Sequence, residues 1–186
     1  QGCVEMISAQ IGNGLGGIEE YTFSGCSSLE ELTIGSQVKT IGQYAFQDCK
    51  SLPAVTIPQS VTEIKEYVFS ECSELKKVIM SDGDEVLTLS SNGGNPIFSS
   101  CPLDSVYIGR NINYDTTQEH GYSPFYLNTS LKAVTITDKE TEVTAKEFFG
   151  CSNLQSVIVG SRVAKIGDFA FSGCYVLNTV IMSDGV

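Results

Sequence analysis

Ile41-Gly-Gln-Tyr-Ala-Phe46-Gln-Asp-Cys49-Lys-Ser-Leu52-Pro-Ala-Val55-Thr-Ile57 recurs as Ile166-Gly-Asp-Phe-Ala-Phe171-Ser-Gly-Cys174-Tyr-Val-Leu177-Asn-Thr-Val180-Ile-Met182. The shared unit is I-G-x-Y-A-F-x-x-C-x-x-L-x-x-V-x-I, followed by Gly or Pro and a V-x-x-I step. Working outward, phenylalanines in this phase stand at 23, 46, 69, 98, 125, 148 and 171, with steps of 23, 23, 29, 27, 23 and 23. The seven cysteines stand at 3, 26, 49, 72, 101, 151 and 174, all at one repeat position, and Asn128 fills the vacancy. That makes eight copies, the first beginning at its cysteine. A fixed period of this length is the signature of a repeat architecture.

Each unit supplies one short strand. In Leu32-Thr33-Ile34 the apolar residues alternate, the period of a half-buried strand. The step returns as Val55-Thr-Ile57, Val78-Ile-Met80, Val106-Tyr-Ile108, Val134-Thr-Ile136, Val157-Ile-Val159 and Val180-Ile-Met182. Such strands cannot fold singly. Stacked in register they predict one parallel sheet, eight coils spanning roughly 38 Å at about 4.8 Å each. Neighbouring coils then stabilise one another, with like residues in interior columns. Gly35, Gly109, Gly160 and Pro58 follow the strands and punctuate a corner. The Tyr-Ala-Phe segment is expected to be an irregular or short helical turn that drives Phe46 and its equivalents inward. No segment keeps a 3.6-residue period for three turns, so long helices are not expected.

Ala45-Phe46, Cys49, Leu52, Val55, Ile57-Pro58, Val61 and Ile64 together resemble the bacterial BspA-like class of leucine-rich repeat, over essentially all 186 residues. The resemblance implies a leucine-rich repeat solenoid: β-rich, right-handed, short parallel strands joined by irregular or short helical turns. It also implies a secreted or cell-surface protein that serves adhesion or host interaction. It is specific for fold and weak for function. We expect residues 1–186 to form a single repeat domain, insertions near 84–95 and 113–122 included. The start, Gln-Gly-Cys-Val-Glu-Met, reads as the inside of a repeat and not as a signal peptide. A fragment of a longer protein is expected.

Composition bounds the rest. The chain is 41% apolar and 18% charged, which disfavours disorder. With 11 basic and 22 acidic residues its net charge is -11, a poor match for nucleic acid or anionic lipid. Simple solubility also accounts for that charge. No apolar run approaches the roughly 18 residues of a spanning helix, so no membrane insertion is expected in this segment.

Neither metal nor disulfide chemistry suits the cysteines. No C-x-x-C pair occurs, and the gaps of 23 or more are unlike zinc-site spacings. Thiols stacked in one column have parallel Cβ vectors, which suit a bridge poorly. Reduced thiols that act as small hydrophobes are the expectation, with Asn128 able to make the same turn-capping hydrogen bond. No cofactor and no bound metal are expected.

Two regions are candidates for contact with a partner. The outward strand positions read Gln10, Thr33, Thr56, Ile79, Tyr107, Thr135, Ile158 and Ile181. Intrinsic strand preference explains the isoleucines and tyrosine, and so does an apolar stripe for a partner. The second region is the pair of insertions. Eighteen positions separate Met80 from Phe98 where twelve separate Ile34 from Phe46, so six residues are added; Ile108 to Phe125 is seventeen, so five are added. The second insertion carries Arg110, Asn113, Tyr114, Asp115, the lone His120 and Tyr122. Amides and aromatic rings there could hold a sugar or a peptide, or the loop could be a tolerated surface insertion. Tyr107, Ile79, Thr135, Ile158, Arg110, Tyr114, His120 and Tyr122 are the candidate binding residues.

Catalysis is not expected. There is no nucleophile elbow, H-E-x-x-H, phosphate loop or dinucleotide fingerprint, and His120 has no partner in phase. The expected partner is a protein, or a glycan, on a host or neighbouring cell. A structural spacer that displays another domain is the alternative. The last strand, Val180 to Met182, could also pair with another copy.

Overall fold

The computed structural model describes residues 2–91, 97–116 and 123–183. It is a parallel β-solenoid of about seven turns, with no helix among the described residues. One face carries β1 (Ser8–Gln10), β3 (Glu31–Thr33), β5 (Ala54–Ile57), β7 (Lys77–Met80), β9 (Ser105–Ile108), β11 (Ala133–Ile136), β13 (Ser156–Val159) and β15 (Thr179–Met182). The opposite face carries β2 (Gly17–Ile18), β4 (Thr40–Ile41), β6 (Glu63–Ile64), β8 (Leu87–Ser91), β10 (Ile112–Thr116), β12 (Glu142–Val143) and β14 (Lys165–Ile166). The expected eight copies thus supply eight first-face strands but only about seven full turns.

All pairings are parallel and in repeat register: Val55 lies beside Val78, Val78 beside Val106, Val106 beside Val134, Val134 beside Val157 and Val157 beside Val180. Each face is interrupted once, so neither is the single expected sheet. The first face divides into β1-β3 and the six strands from β5 to β15. Pro53 explains the gap. In other coils the N–H at this position donates to the preceding coil, as Glu30 does to Ile7 O and Lys76 to Pro53 O. Proline has no N–H to give. The second face divides between β10 and β12, where Glu140 intervenes, as described below.

The corner that was expected to be irregular or briefly helical is a repeated turn in which a left-handed residue stands two positions after each phenylalanine and, at five of the seven, another stands two positions before it. Tyr21, Tyr44, Tyr67, Lys146 and Phe169, two positions before, have φ of 56 to 59°. Two positions after stand Gly25, Asp48, Glu71, Ser100, Leu127, Gly150 and Gly173, all at positive φ. Left-handed residues cannot propagate a right-handed helix. Between them Phe23, Phe46, Phe69, Phe98, Phe125, Phe148 and Phe171 form one stack, with centroids 5.2 to 5.9 Å apart. Gly160 serves a different purpose from turn conformation: a Cβ there would lie 2.3 Å from Thr137 C, so the glycine lets two backbones approach.

The cysteine column lies inside. Cys26, Cys49, Cys72, Cys101 and Cys151 are buried, and all seven cysteines are free thiols. Cys49, Cys72, Cys101, Cys151 and Cys174 each donate Sγ–H to the carbonyl of the preceding coil's phenylalanine, at 3.0 to 3.3 Å. One residue type recurs at this phase because it must be small, apolar and still a donor. Burial pushes the Cys49 thiol far up and Cys151 to about 12, so both stay protonated.

Candidate interaction surface

The six-stranded sheet presents one row of outward side chains. Thr56 lies beside Ile79, Ile79 beside Tyr107, Tyr107 beside Thr135, Thr135 beside Ile158 and Ile158 beside Ile181. The flanking positions in β5 to β13, such as Val134 and Ile136, are buried, whereas in β15 Val180 and Met182 are exposed along with Ile181. Alternation alone therefore turns this row outward. Ile158 and Ile181 are 41% and 52% exposed, a large share for isoleucine. The Tyr107 hydroxyl donates to the carboxylate of Asp82, 3.0 Å from each oxygen, which fixes the ring over the strand exit. Burial and that carboxylate raise the tyrosine's pKa. Lys77, Ile79, Ser81, Asp82 and Tyr107 line a shallow depression of about 310 Å³ here.

The second insertion is built differently from the expected exposed loop. Its first half is β10, which pairs with β8 over five positions where β4 and β6 pair over two. Arg110 is fully buried, a correction to its reading as a contact residue. Its Nη1 donates to Gln59 O and Val61 O and its Nη2 to Pro58 O, at 2.7 to 3.1 Å. It is a staple reaching back two coils. Burial lowers its pKa to about 10, which leaves it charged at neutral pH. Tyr114 is corrected likewise. It lies in register with Leu89 and Ile64, packs against the core, and donates its hydroxyl to Glu147 Oε1 at 2.7 Å. Asn113 is exposed. His120 and Tyr122 lie outside the described residues, as does the side chain of Asp115.

Two acids that the sequence reading passed over complete this buried network. Glu140 stands at the repeat position of Val38, Val61 and Val163; Glu147 stands at that of Ala45, Val68 and Ala170. Both are buried. Glu147 Oε2 accepts from Thr144 N and Thr144 Oγ1, and Glu140 Oε1 accepts from Ile112 N. That last bond takes up the strand donor at the gap between β10 and β12. Burial, and for Glu140 the nearby Glu147, raise the carboxyls to about 8 and about 7 respectively. The available signal was phase: an acid in a column otherwise reserved for Val or Ala. Among the described residues no group of three His, Cys, Asp or Glu is placed to hold a metal ion.

The model of the BspA type leucine rich repeat region matches residues 1–119 and 118–186, in 6 copies. The chain belongs to this family. No curated protein matches it significantly. Among solved structures, the leucine-rich repeat protein TpLRR of T. pallidum is similar at 24% identity and a TM-score of 0.63, over 92% of this chain and 78% of that one. A Bacteroides ovatus leucine-rich repeat protein matches at 23% identity and 0.54, over 92% of this chain and 47% of that one. The pneumococcal vaccine antigen PcpA matches at 19% and 0.51, over 94% of this chain and 50% of that one. At these identities the likeness is one of fold. The chain spans about half the length of two of these proteins.

Proposed function

We propose that this BspA-type solenoid is a non-catalytic binding module of a bacterial cell-surface or secreted protein, and that the outward row of its six-stranded sheet meets a protein partner. Leucine-rich repeat proteins of this type serve protein interaction, which supports the general reading. The particular observation that carries it is the row from Thr56 to Ile181, in which Ile79, Tyr107, Ile158 and Ile181 stand in one line on a rigid sheet. Contiguous exposed apolar residues on a regular surface mark interaction sites, and solenoids bind through such repeated faces. A surface location accords with the family, and one fold neighbour is a vaccine antigen.

The test is binding of the purified chain to host extracellular proteins and to whole cells, wild type against Tyr107→Lys/Ile158→Lys. The double variant is expected to keep its circular dichroism and lose binding. Unchanged binding by a folded double variant would refute the site. Inert behaviour of both proteins across the panel would favour the spacer reading.

A further inference from the structure

We infer that the solenoid carries a second binding site, for a neutral sugar, in a cleft between the corner turns at Phe98–Cys101 and Pro124–Asn128. At the regular corners a two-bond backbone ladder joins successive coils, and between the Phe125 and Phe148 turns one of its bonds, Leu127 N to Phe149 O, remains. Phe46 N donates to Val68 O and Asp48 N to Ser70 O; Phe69 N to Ile97 O and Glu71 N to Ser99 O; Phe148 N to Ala170 O and Gly150 N to Ser172 O. Among the described residues, no backbone hydrogen bond joins the turn at 98–101 to the turn at 124–127.

The sequence explains the opening. Pro124 stands where other coils have Thr, Ala, Val, Ile or Glu. A residue before proline is driven toward extended backbone, and Ser123 lacks the left-handed φ found at this place in Tyr44, Tyr67 and Lys146. Asn128 then replaces the column cysteine. Its Nδ2 donates to Cys101 O at 3.1 Å and not to Phe98 O, the acceptor that a thiol would have taken. The result is a cleft of about 500 Å³, within the range of small-ligand sites.

The lining names the ligand class. Ser99, Thr129 and Ser130 offer hydroxyls, Ser100 an oxygen whose proton goes to Glu71, and Pro102, Pro124, Leu127 and the Tyr126 ring offer apolar surface, while the Asn128 amide is taken up by Cys101 O and Ser130 N. Tyr126 is held in place by stacking on Phe149 at 5.3 Å. Among the described residues no charged side chain lines the cleft, the carboxylate at its edge being Glu71, which accepts from Ser100 Oγ. A charged ligand would lose hydration without a counter-charge. A peptide strand needs a long edge of ladder groups, and this one is a single turn long. A pyranose matches instead, with C–H faces for the ring and prolines and a compact set of hydroxyls for the serines, threonine and backbone.

The experiment is a glycan array probed with the wild-type chain, holding neutral, sialylated and uronic-acid glycans and including a proline- and serine-rich peptide. The best neutral glycan is then titrated by calorimetry. Neutral glycans are expected to bind, with affinity unchanged between low and high salt. Thr129→Trp should weaken binding at least tenfold while Tyr107→Lys/Ile158→Lys leaves it intact, which keeps this site separable from the sheet face. Should Thr129→Trp unfold, Ser130→Gln replaces it, with the same loss expected. Absence of neutral-glycan binding, a preference for acidic glycans or for the peptide, or full affinity in a folded cleft variant would each overturn the assignment.

Discussion

The coils from Ile41 to Leu75 and those from Met80 to Phe148 share one plan and use it differently. In the first stretch, 23-residue periods place Val, Ile, Ala, Phe and Cys in their columns, and the corner ladder is complete. In the second, the period lengthens, Arg110, Tyr114, Glu140 and Glu147 occupy the interior, Asn128 interrupts the thiols, and one corner opens. Each polar intruder is met by named partners: three carbonyls for the guanidinium, a phenol and a threonine for Glu147, a strand N–H for Glu140. The comparison teaches that a solenoid tolerates irregularity where the polar substitutions arrive as a set.

Phe69→Ala, in the regular stretch, gives the largest expected effect. It empties a fully buried place between two stacked rings and should cost about 3–5 kcal/mol in urea unfolding. A loss below about 1 kcal/mol would mean that the column is loosely packed.

The acids of the irregular stretch make stability depend on pH. A carboxyl raised from 4.5 to about 7 in the folded state, as Glu147 is, favours folding while protonated. The stabilisation is full below pH 4.5 and is lost as pH rises through about 7, and through about 8 for Glu140. For Glu147 alone the change is on the order of 3 kcal/mol. The melting temperature should therefore fall from pH 5 to pH 8.5, and Glu147→Gln should flatten that slope. An unaltered slope in the variant would place the dependence elsewhere.

The thiol column gives a smaller effect. Cys72→Ala leaves Phe46 O without its donor and should cost about 1–3 kcal/mol. In the wild type, exposed Cys3 should react with a thiol reagent at once, and Cys49, Cys72 and Cys151 only on unfolding. Smallest of all, Ile158→Lys on the outer row should change stability by less than about 0.5 kcal/mol, which is what qualifies it as a binding probe.

Most of the fold was legible because period and phase are one-dimensional. Cys49 over Cys72 and Phe46 over Phe69 follow from counting alone. The sheet interruptions were less so. Pro53 lay in plain sight, but its effect depends on which N–H the ladder needs. The outward row was read correctly as a row, because alternation fixes direction. Arg110 and Tyr114 were misplaced for a physical reason: polarity suggested a surface loop, whereas Arg110 turns back onto the corner carbonyls of an earlier coil and the lengthened strand carries Tyr114 inward. The cleft was hidden altogether, since it arises from bonds not made between residues of two different coils.

The interruptions bear on how the rod answers a bending load. The first-face gap lies between the coils of β3 and β5, where β4 and β6 remain paired behind it. The second-face gap lies between the coils of β10 and β12, where β9 and β11 hold. The open corner falls between the coils of β8 and β10, beside their five-position pairing. Neither sheet gap is matched by a gap on the opposite face at the same step, so a load meets a paired line of strands across each of the two breaks.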